Sequence, residues 1–284
     1  MPELPEVEVL ARHLDRVLRG QTVREVSVLR VKSTRPTSAR RIREALTGGQ
    51  FQSVRRRAKY LLFEIDPAGN APVFTLLGHL GMTGRMYLLP ARRRLPRHAV
   101  VTMDLGRHQF VFEDTRYFGR LTLDDSALAA LGPEPLEVDF DGDVLRARLG
   151  RSRQAIKVKL LDQRVVGGIG NIYASEALFR AGISPRQAAR RLSRAKCRAL
   201  VHALRATLQE AIEGGSTVPL DFSGASRRDG LFYYGRAEEA PDYHEEQLAV
   251  YDREGEPCLK CATPIRRMVQ AARSTYFCPA CQRA

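Results

Sequence analysis

Cys258-x2-Cys261 and Cys278-x2-Cys281, with sixteen residues between the pairs, constrain this chain more than any other pattern in it. Each close pair lets a tight turn present two thiolates. Four thiolates close a tetrahedral zinc site that has no open position for a reacting ligand, so one structural Zn2+ is expected. The same cysteines paired as two disulfides would suit a secreted protein, but the sequence shows no positive region followed by an apolar stretch. Between the pairs, IRRMVQAARSTYF reads as a hairpin with Arg273 at its turn. The metal then stiffens a ribbon with no core of its own and aims the arginine at a phosphate or a groove.

The other end of the chain opens MPELPEVE. Proline tolerates the first helical turn, and acids there meet the positive end of the helix dipole. Leu4, Val7, Leu10, Leu14, Val17 and Leu18 keep a helical period up to Gly20. Removal of Met1 would also leave Pro2 as a secondary amine beside the Glu3 carboxylate. From Gln21 to about Leu131 the runs VREVSVLRV, KYLLFEI, VFTLL, AVVTMDL and HQFVFED read as short strands of a β-sandwich or barrel. LGPEPL, residues 131–136, reads as a linker. Beyond it helices are expected over about 152–162, 171–181 and 193–213. In the last of these Cys197 sits on an apolar stripe with Leu200, Leu204 and Leu208 and reads as a core thiol. Residues 216–254 read as a long functional loop.

Lys and Arg number 46 against 32 Asp and Glu, a net charge of +14. Such an excess is the footprint of a polyanion binder, and nucleic acid fits better than a membrane because no apolar run or amphipathic anchor is evident. Several short motifs add chemistry. VVGGIGNIY places three glycines before a helix with Asn171 as its cap, an amide nest suited to an anion. Met82 in HLGMTG and Arg116 and Phe118 in DTRYFG sit in tight turns. There Met82 and Phe118 serve either as core packing or, with Arg116, as wedges that hold open a base stack. Arg55, Arg56, Arg57 and Lys59 form a basic run whose simplest reading is a solvated face.

Taken together, PELPEVE, RRAKYLL, HLGMTG, RYFG, LGPEPL, VGGIGNIYASEALFRAGISP and the four cysteines resemble the formamidopyrimidine-DNA glycosylase family, in order and across nearly the whole chain. The resemblance implies an α+β protein. Residues 1–132 would form a catalytic β-sandwich bearing the N-terminal helix, and 133–224 a helix-two-turns-helix DNA-binding domain. Residues 225–254 would form a lesion-recognition loop, and 255–284 a zinc-ribbon finger. It implies a monomer, cytoplasmic and nucleoid-associated, that holds damaged double-stranded DNA in a cleft between two lobes. Such an enzyme excises 8-oxoguanine and formamidopyrimidines and then cuts the strand by β- and δ-elimination.

By the same resemblance Pro2 is the nucleophile and Glu3 the acid/base. Lys59, His79, Asn171 and Arg273 hold the lesion-strand backbone, Lys59 and Arg273 counting with the catalytic set. Met82, Arg116 and Phe118 fill the gap left by the flipped base. A free α-amine, with a pKa of about 7.8, is roughly a tenth unprotonated at neutral pH, against less than about 0.1% of a lysine. Glu6, on the same helical face as Glu3, either fixes the terminus or simply meets the helix dipole. The departures are Tyr117, where the family often has a second arginine, and an extended acidic, tyrosine-containing stretch from Glu238 to Glu246. Two alternatives accompany this reading. One is an oxidised-pyrimidine glycosylase of the endonuclease VIII type, which opens with Gly in place of Leu4; the other is a non-catalytic damaged-DNA-binding protein.

Overall fold

The computed structural model describes residues 2–69, 71–215 and 248–283. They divide into two compact units, one built on residues 2–129, the other on 130–213 with 248–283. The lesion-loop expectation for 225–254, including Glu238 to Glu246, lies mostly outside the described residues.

The first unit opens with α1 (Leu4–Leu18) and continues through β1 (Glu25–Val28), α2 (Ala39–Leu46), β2 (Gln50–Arg57), β3 (Tyr60–Asp66), β4 (Phe74–His79), β5 (Gly84–Pro90), β6 (Ala99–Asp104), β7 (His108–Asp114) and β8 (Arg120–Thr122). The strands form two four-stranded antiparallel sheets, ordered β1-β6-β7-β5 and β2-β3-β4-β8. β3 alternates half-buried and buried residues, so Leu61, Phe63 and Ile65 share one face, as a period of two requires. Those side chains join Phe110, Phe112 and Met103 of the other sheet and Leu10 and Leu14 of α1 in a single core. Phe63 meets Phe110 edge-on at 5.9 Å. Each fully buried side chain of this kind contributes about 1.5–3 kcal/mol.

α2 interrupts the stretch expected to be all strands. Ser38 caps it by accepting the Arg41 N–H at 3.2 Å, and Ile42 and Leu46, one turn apart, are its buried residues. A hydroxyl cap and two apolar residues at i, i+4 suffice for eight residues once tertiary burial supports them.

The second unit comprises α3 (Gly142–Leu149), α4 (Ile156–Leu160), α5 (Asn171–Arg180), α6 (Arg194–Glu213) and a ribbon of β9 (Arg266–Gln270) paired with β10 (Arg273–Phe277). α4 covers less than half of the expected 152–162 helix. LGPEPL is a packed segment: the Gly132 N–H donates to the Gln163 carbonyl at 2.7 Å and Pro133 accepts from Gly167 at 2.9 Å. A Cβ on Gly132 would lie 2.6 Å from the Arg164 carbonyl oxygen, so only glycine fits there. The ribbon has a small core after all, because Ile265, Tyr276 and Cys278 pack with Phe179 of α5 and with Val250. Glu176 on α5 ties the chain entering the ribbon by accepting the backbone N–H groups of Ala249, Val250 and Tyr251 at 2.8–3.0 Å. Among the described residues no helix is long and apolar enough to cross a membrane.

Candidate functional site

In the first unit Pro2 and Glu3 stand buried at the head of α1, with Glu3 at its N-cap. Glu6 is also buried, and its carboxylate reaches back to accept the Glu3 backbone N–H at 2.7 Å. This bond satisfies an N–H that the helix leaves over and fixes the backbone one residue beyond Pro2. Glu6 therefore fixes the terminus, the first of its two readings. α1 is in turn pinned to β2. Asp15 accepts the Val54 N–H at 2.7 Å, and Glu8 pairs with the nearly buried Arg56 at 2.7 Å. Burial alone would raise the Glu8 pKa, but Arg56 and Arg12 together hold it below the ordinary carboxylate value. Arg56 is thus a structural anchor, whereas Arg55 pairs with Glu64 on the exposed face.

The pinning matters because β2 leads directly into a two-residue turn, Ala58-Lys59, between the paired Arg57 and Tyr60. Ala58 has φ 52° with no exposed surface, a left-handed conformation that favours glycine, and it puts the buried Lys59 at the tip. His79 lies across the sheet from Tyr60, its ring 4.8 Å from the tyrosine ring. Burial first, then the charges of Lys59 and Arg120, push the His79 pKa down to about 4. The ring is therefore neutral at pH 7. Its Nδ1 accepts the Gly81 N–H at 3.1 Å, so the ring proton sits on Nε2, a neutral donor.

Met82 follows in the β4–β5 loop and is 38% exposed, while Phe118 in the β7–β8 loop is 49% exposed. These exposures exclude core packing for both. The Arg116 guanidinium lies over the Phe118 ring, 5.2 Å from its centroid.

In the second unit Asn171 is the first residue of α5, and Gly170 takes the N-cap position expected of Asn171. The asparagine side chain is turned elsewhere. Lys157 on α4, with no exposed surface, donates to Asn171 Oδ1 at 2.8 Å, to the Ser274 carbonyl at 3.1 Å and to Thr275 Oγ1 at 3.1 Å. An ammonium can only donate, so Asn171 must face it with oxygen, leaving the amide NH2 as a donor near the Tyr251 hydroxyl at 3.5 Å. The glycine nest is partly spent within the fold. Gly167 N–H goes to Pro133 and Gly168 N–H to Gln163 Oε1 at 2.9 Å. Arg273 is exposed on the first residue of β10, just after a turn in which Ala271 and Ala272 have φ 47° and 59°.

The four cysteine sulfurs lie within 4.8 Å of one another. The contacts Cys258–Cys281, Cys261–Cys278 and Cys261–Cys281 measure 3.9, 3.5 and 3.5 Å. A tetrahedron with Zn–S bonds of about 2.3 Å requires S···S separations of about 3.8 Å. The donor set and its spacing fit zinc, and the cluster can hold one ion.

Three family models match the chain: the formamidopyrimidine-DNA glycosylase N-terminal domain over residues 1–121, the formamidopyrimidine-DNA glycosylase H2TH domain over 131–221, and a zinc finger found in FPG and IleRS over 255–284. A formamidopyrimidine-DNA glycosylase of Thioalkalivibrio sulfidiphilus is 42% identical over 290 residues, covering 100% of both chains. The chain belongs to the formamidopyrimidine-DNA glycosylase family. Its fold agrees with solved members. A Lactococcus lactis FPG mutant, in complex with Fapy-dG-containing DNA, superposes with a TM-score of 0.85 at 32% identity, covering 100% of both chains. MutM in complex with carbocyclic 8-oxo-G-containing DNA gives 0.84 at 32%, again over 100% of both. The α+β class and the zinc finger expected from the sequence are both present.

For this family member, the residues expected to act on DNA or to hold the metal fall into two sets. Pro2, Glu3, Lys59, His79, Met82, Arg116 and Phe118 belong to the first unit; Asn171, Arg273 and the cysteines belong to the second. Sequence reasoning missed Lys157. Its only signal was a lysine beside Ile156 and Leu160, both buried, where a short helix has no solvent face to give it.

Proposed function

We propose that this protein is a bifunctional glycosylase and abasic-site lyase that removes 8-oxoguanine and formamidopyrimidines from duplex DNA. One observation carries the reading: Pro2 and Glu3 sit buried at the head of α1, where the Glu6 carboxylate fixes the Glu3 backbone. A protein that only binds DNA has no use for a braced terminal amine. The domain roles follow the family: catalysis in residues 1–132, DNA binding in 133–224, lesion recognition in 225–254 and the finger in 255–284.

After Met1 is removed, the unprotonated Pro2 nitrogen attacks C1′ of the damaged nucleotide. The glycosidic bond breaks and the base leaves with the electron pair, taking up the proton that the Pro2 nitrogen sheds on bonding to C1′. Glu3 protonates O4′ as the sugar ring opens, and the nitrogen lone pair forms the C1′ iminium ion. That cation acidifies the C2′ proton; its loss expels the 3′ phosphate, and a second elimination expels the 5′ phosphate. Lys59, the Nε2–H of neutral His79, the Asn171 amide and Arg273 hold phosphates of the lesion strand. Met82, Arg116 and Phe118 occupy the space of the everted base. Zinc, held by Cys258, Cys261, Cys278 and Cys281, supplies a cross-link and no reacting position.

Single-turnover release of bases from matched duplexes tests this reading. Faster release of 8-oxoguanine opposite cytosine than of thymine glycol is expected, with phosphate on both sides of the resulting gap. Preference for thymine glycol would reassign the protein to oxidised pyrimidines, and tight binding without release would leave only damage recognition.

A further inference from the structure

We propose that Asp114 is a positioning residue that locks the Met82 loop and the Arg116–Phe118 loop into one preassembled wedge. The inference rests on the reading above, in which these three side chains enter the duplex, and adds a residue to it.

Asp114 ends β7 and has no exposed surface. A buried carboxylate is costly unless donors surround it, and this one faces three. Asp114 Oδ1 accepts the Thr83 hydroxyl at 2.5 Å and the Arg116 N–H at 3.1 Å, and Oδ2 accepts the Gly119 N–H at 2.7 Å. Thr83 is the neighbour of Met82, while Arg116 and Gly119 bracket the second loop. One side chain thus holds both. The Thr83 hydroxyl closes the network by also accepting the Arg116 N–H at 3.2 Å.

The two loops meet backbone to backbone. A Cβ on Gly81, at φ 62°, would lie 2.7 Å from the Gly119 nitrogen and 2.8 Å from the Phe118 carbonyl carbon. Tyr117 pins the middle of the second loop from below, with a left-handed φ of 56°. Its ring packs on the sandwich core, its hydroxyl lies 3.2 Å from His98 Nδ1, and the Arg30 guanidinium sits 5.3 Å from the ring centroid. With the residue between them anchored in this way, Arg116 and Phe118 remain exposed and stacked. Ordering three side chains before DNA arrives removes that entropy from the insertion step.

The test compares Asp114→Asn and the milder Thr83→Val with wild type on two substrates. The first is a duplex with 8-oxoguanine opposite cytosine; the second is a preformed abasic site in single-stranded DNA, which has no stack to open. We expect duplex excision to slow by about tenfold, short of the roughly hundredfold that a 1 Å misplacement remote from the chemistry can cost. Cleavage of the single-stranded site should stay within about twofold, because chemistry and folding are intact. The double variant should lose little more than Asp114→Asn alone, as residues of one network couple. Equal losses on both substrates, or none on the duplex, would overturn the clamp. Failure of the wild type on the duplex would instead overturn the proposed function.

Discussion

Two hairpins in this protein end alike and are stiffened differently. The β2–β3 turn and the β9–β10 turn each use alanine in the left-handed region and each present a basic residue beside it, Lys59 and Arg273. Ala58 is wholly buried and its strands line a sandwich core, with Arg56 and Asp15 tying the hairpin to α1. Ala271 and Ala272 are exposed, and their strands bury only a few side chains, so the cysteine cluster must supply what the core lacks. The same turn geometry can rest on apolar burial or on metal ligation, and each support fails under different conditions.

The largest effect should come from removing the metal. Structural zinc contributes on the order of 10 kcal/mol to folding of a small finger. Chelation should abolish hydrogen-exchange protection in β9 and β10 while β2 and β3 stay protected. Protection that survives in the ribbon would erase the distinction. The converse perturbation is Phe63→Ala, which opens a cavity in the sandwich and should cost about 3–5 kcal/mol. It should lower the melting temperature of the first unit without releasing zinc, as read by a colorimetric chelator; zinc release at the same temperature would contradict independent supports.

A smaller change sharpens the comparison. Ala58→Gly and Ala272→Gly each relieve a left-handed alanine and should stabilise by up to about 1 kcal/mol. The first gain should persist in zinc-free protein, whereas the second should appear only in the loaded form. Gains that do not depend on zinc at either turn would show that the ribbon folds without its metal.

A separate handle on the first unit is a histidine-linked pH dependence. Burial and nearby cations hold His79 at about 4, against 6.5 for a free histidine. Between those values the unfolded chain binds a proton that the folded state refuses. Stability is therefore intact above pH 6.5 and falls as pH drops toward 4. His13, lowered to about 4 by burial and Arg16, adds to the same limb. His79→Gln should flatten roughly half of it in denaturant titrations across that range. An unchanged slope would mean that His79 is accessible to protons in the folded state.

What the sequence made legible tracks how local each cause is. α1, the strand runs and the cysteine pairs follow from periodicity and spacing. α2 is only eight residues long, and its Ser38 cap was hidden inside a region dominated by strand signals. Gly170 rather than Asn171 caps α5, and a lysine fourteen residues upstream holds the asparagine side chain, a tertiary contact that no local pattern carries. Lys157 and Asp114 went unrecognised for the same reason: buried charges are identified by their partners. Arg56 belonged to a basic run that looks solvated, yet its side chain is nearly buried against Glu8, and Arg55 is the run's exposed member.

The central claim is that the Pro2 amine does the chemistry. Borohydride reduction during reaction with a duplex carrying 8-oxoguanine opposite cytosine, followed by mass mapping of the adduct, tests it directly. The account predicts a single covalent sugar adduct on the Pro2 nitrogen, and none when Met1 is retained. Active protein whose adduct maps to Lys59 or another lysine, or whose Met1-retaining form traps equally well, would contradict it.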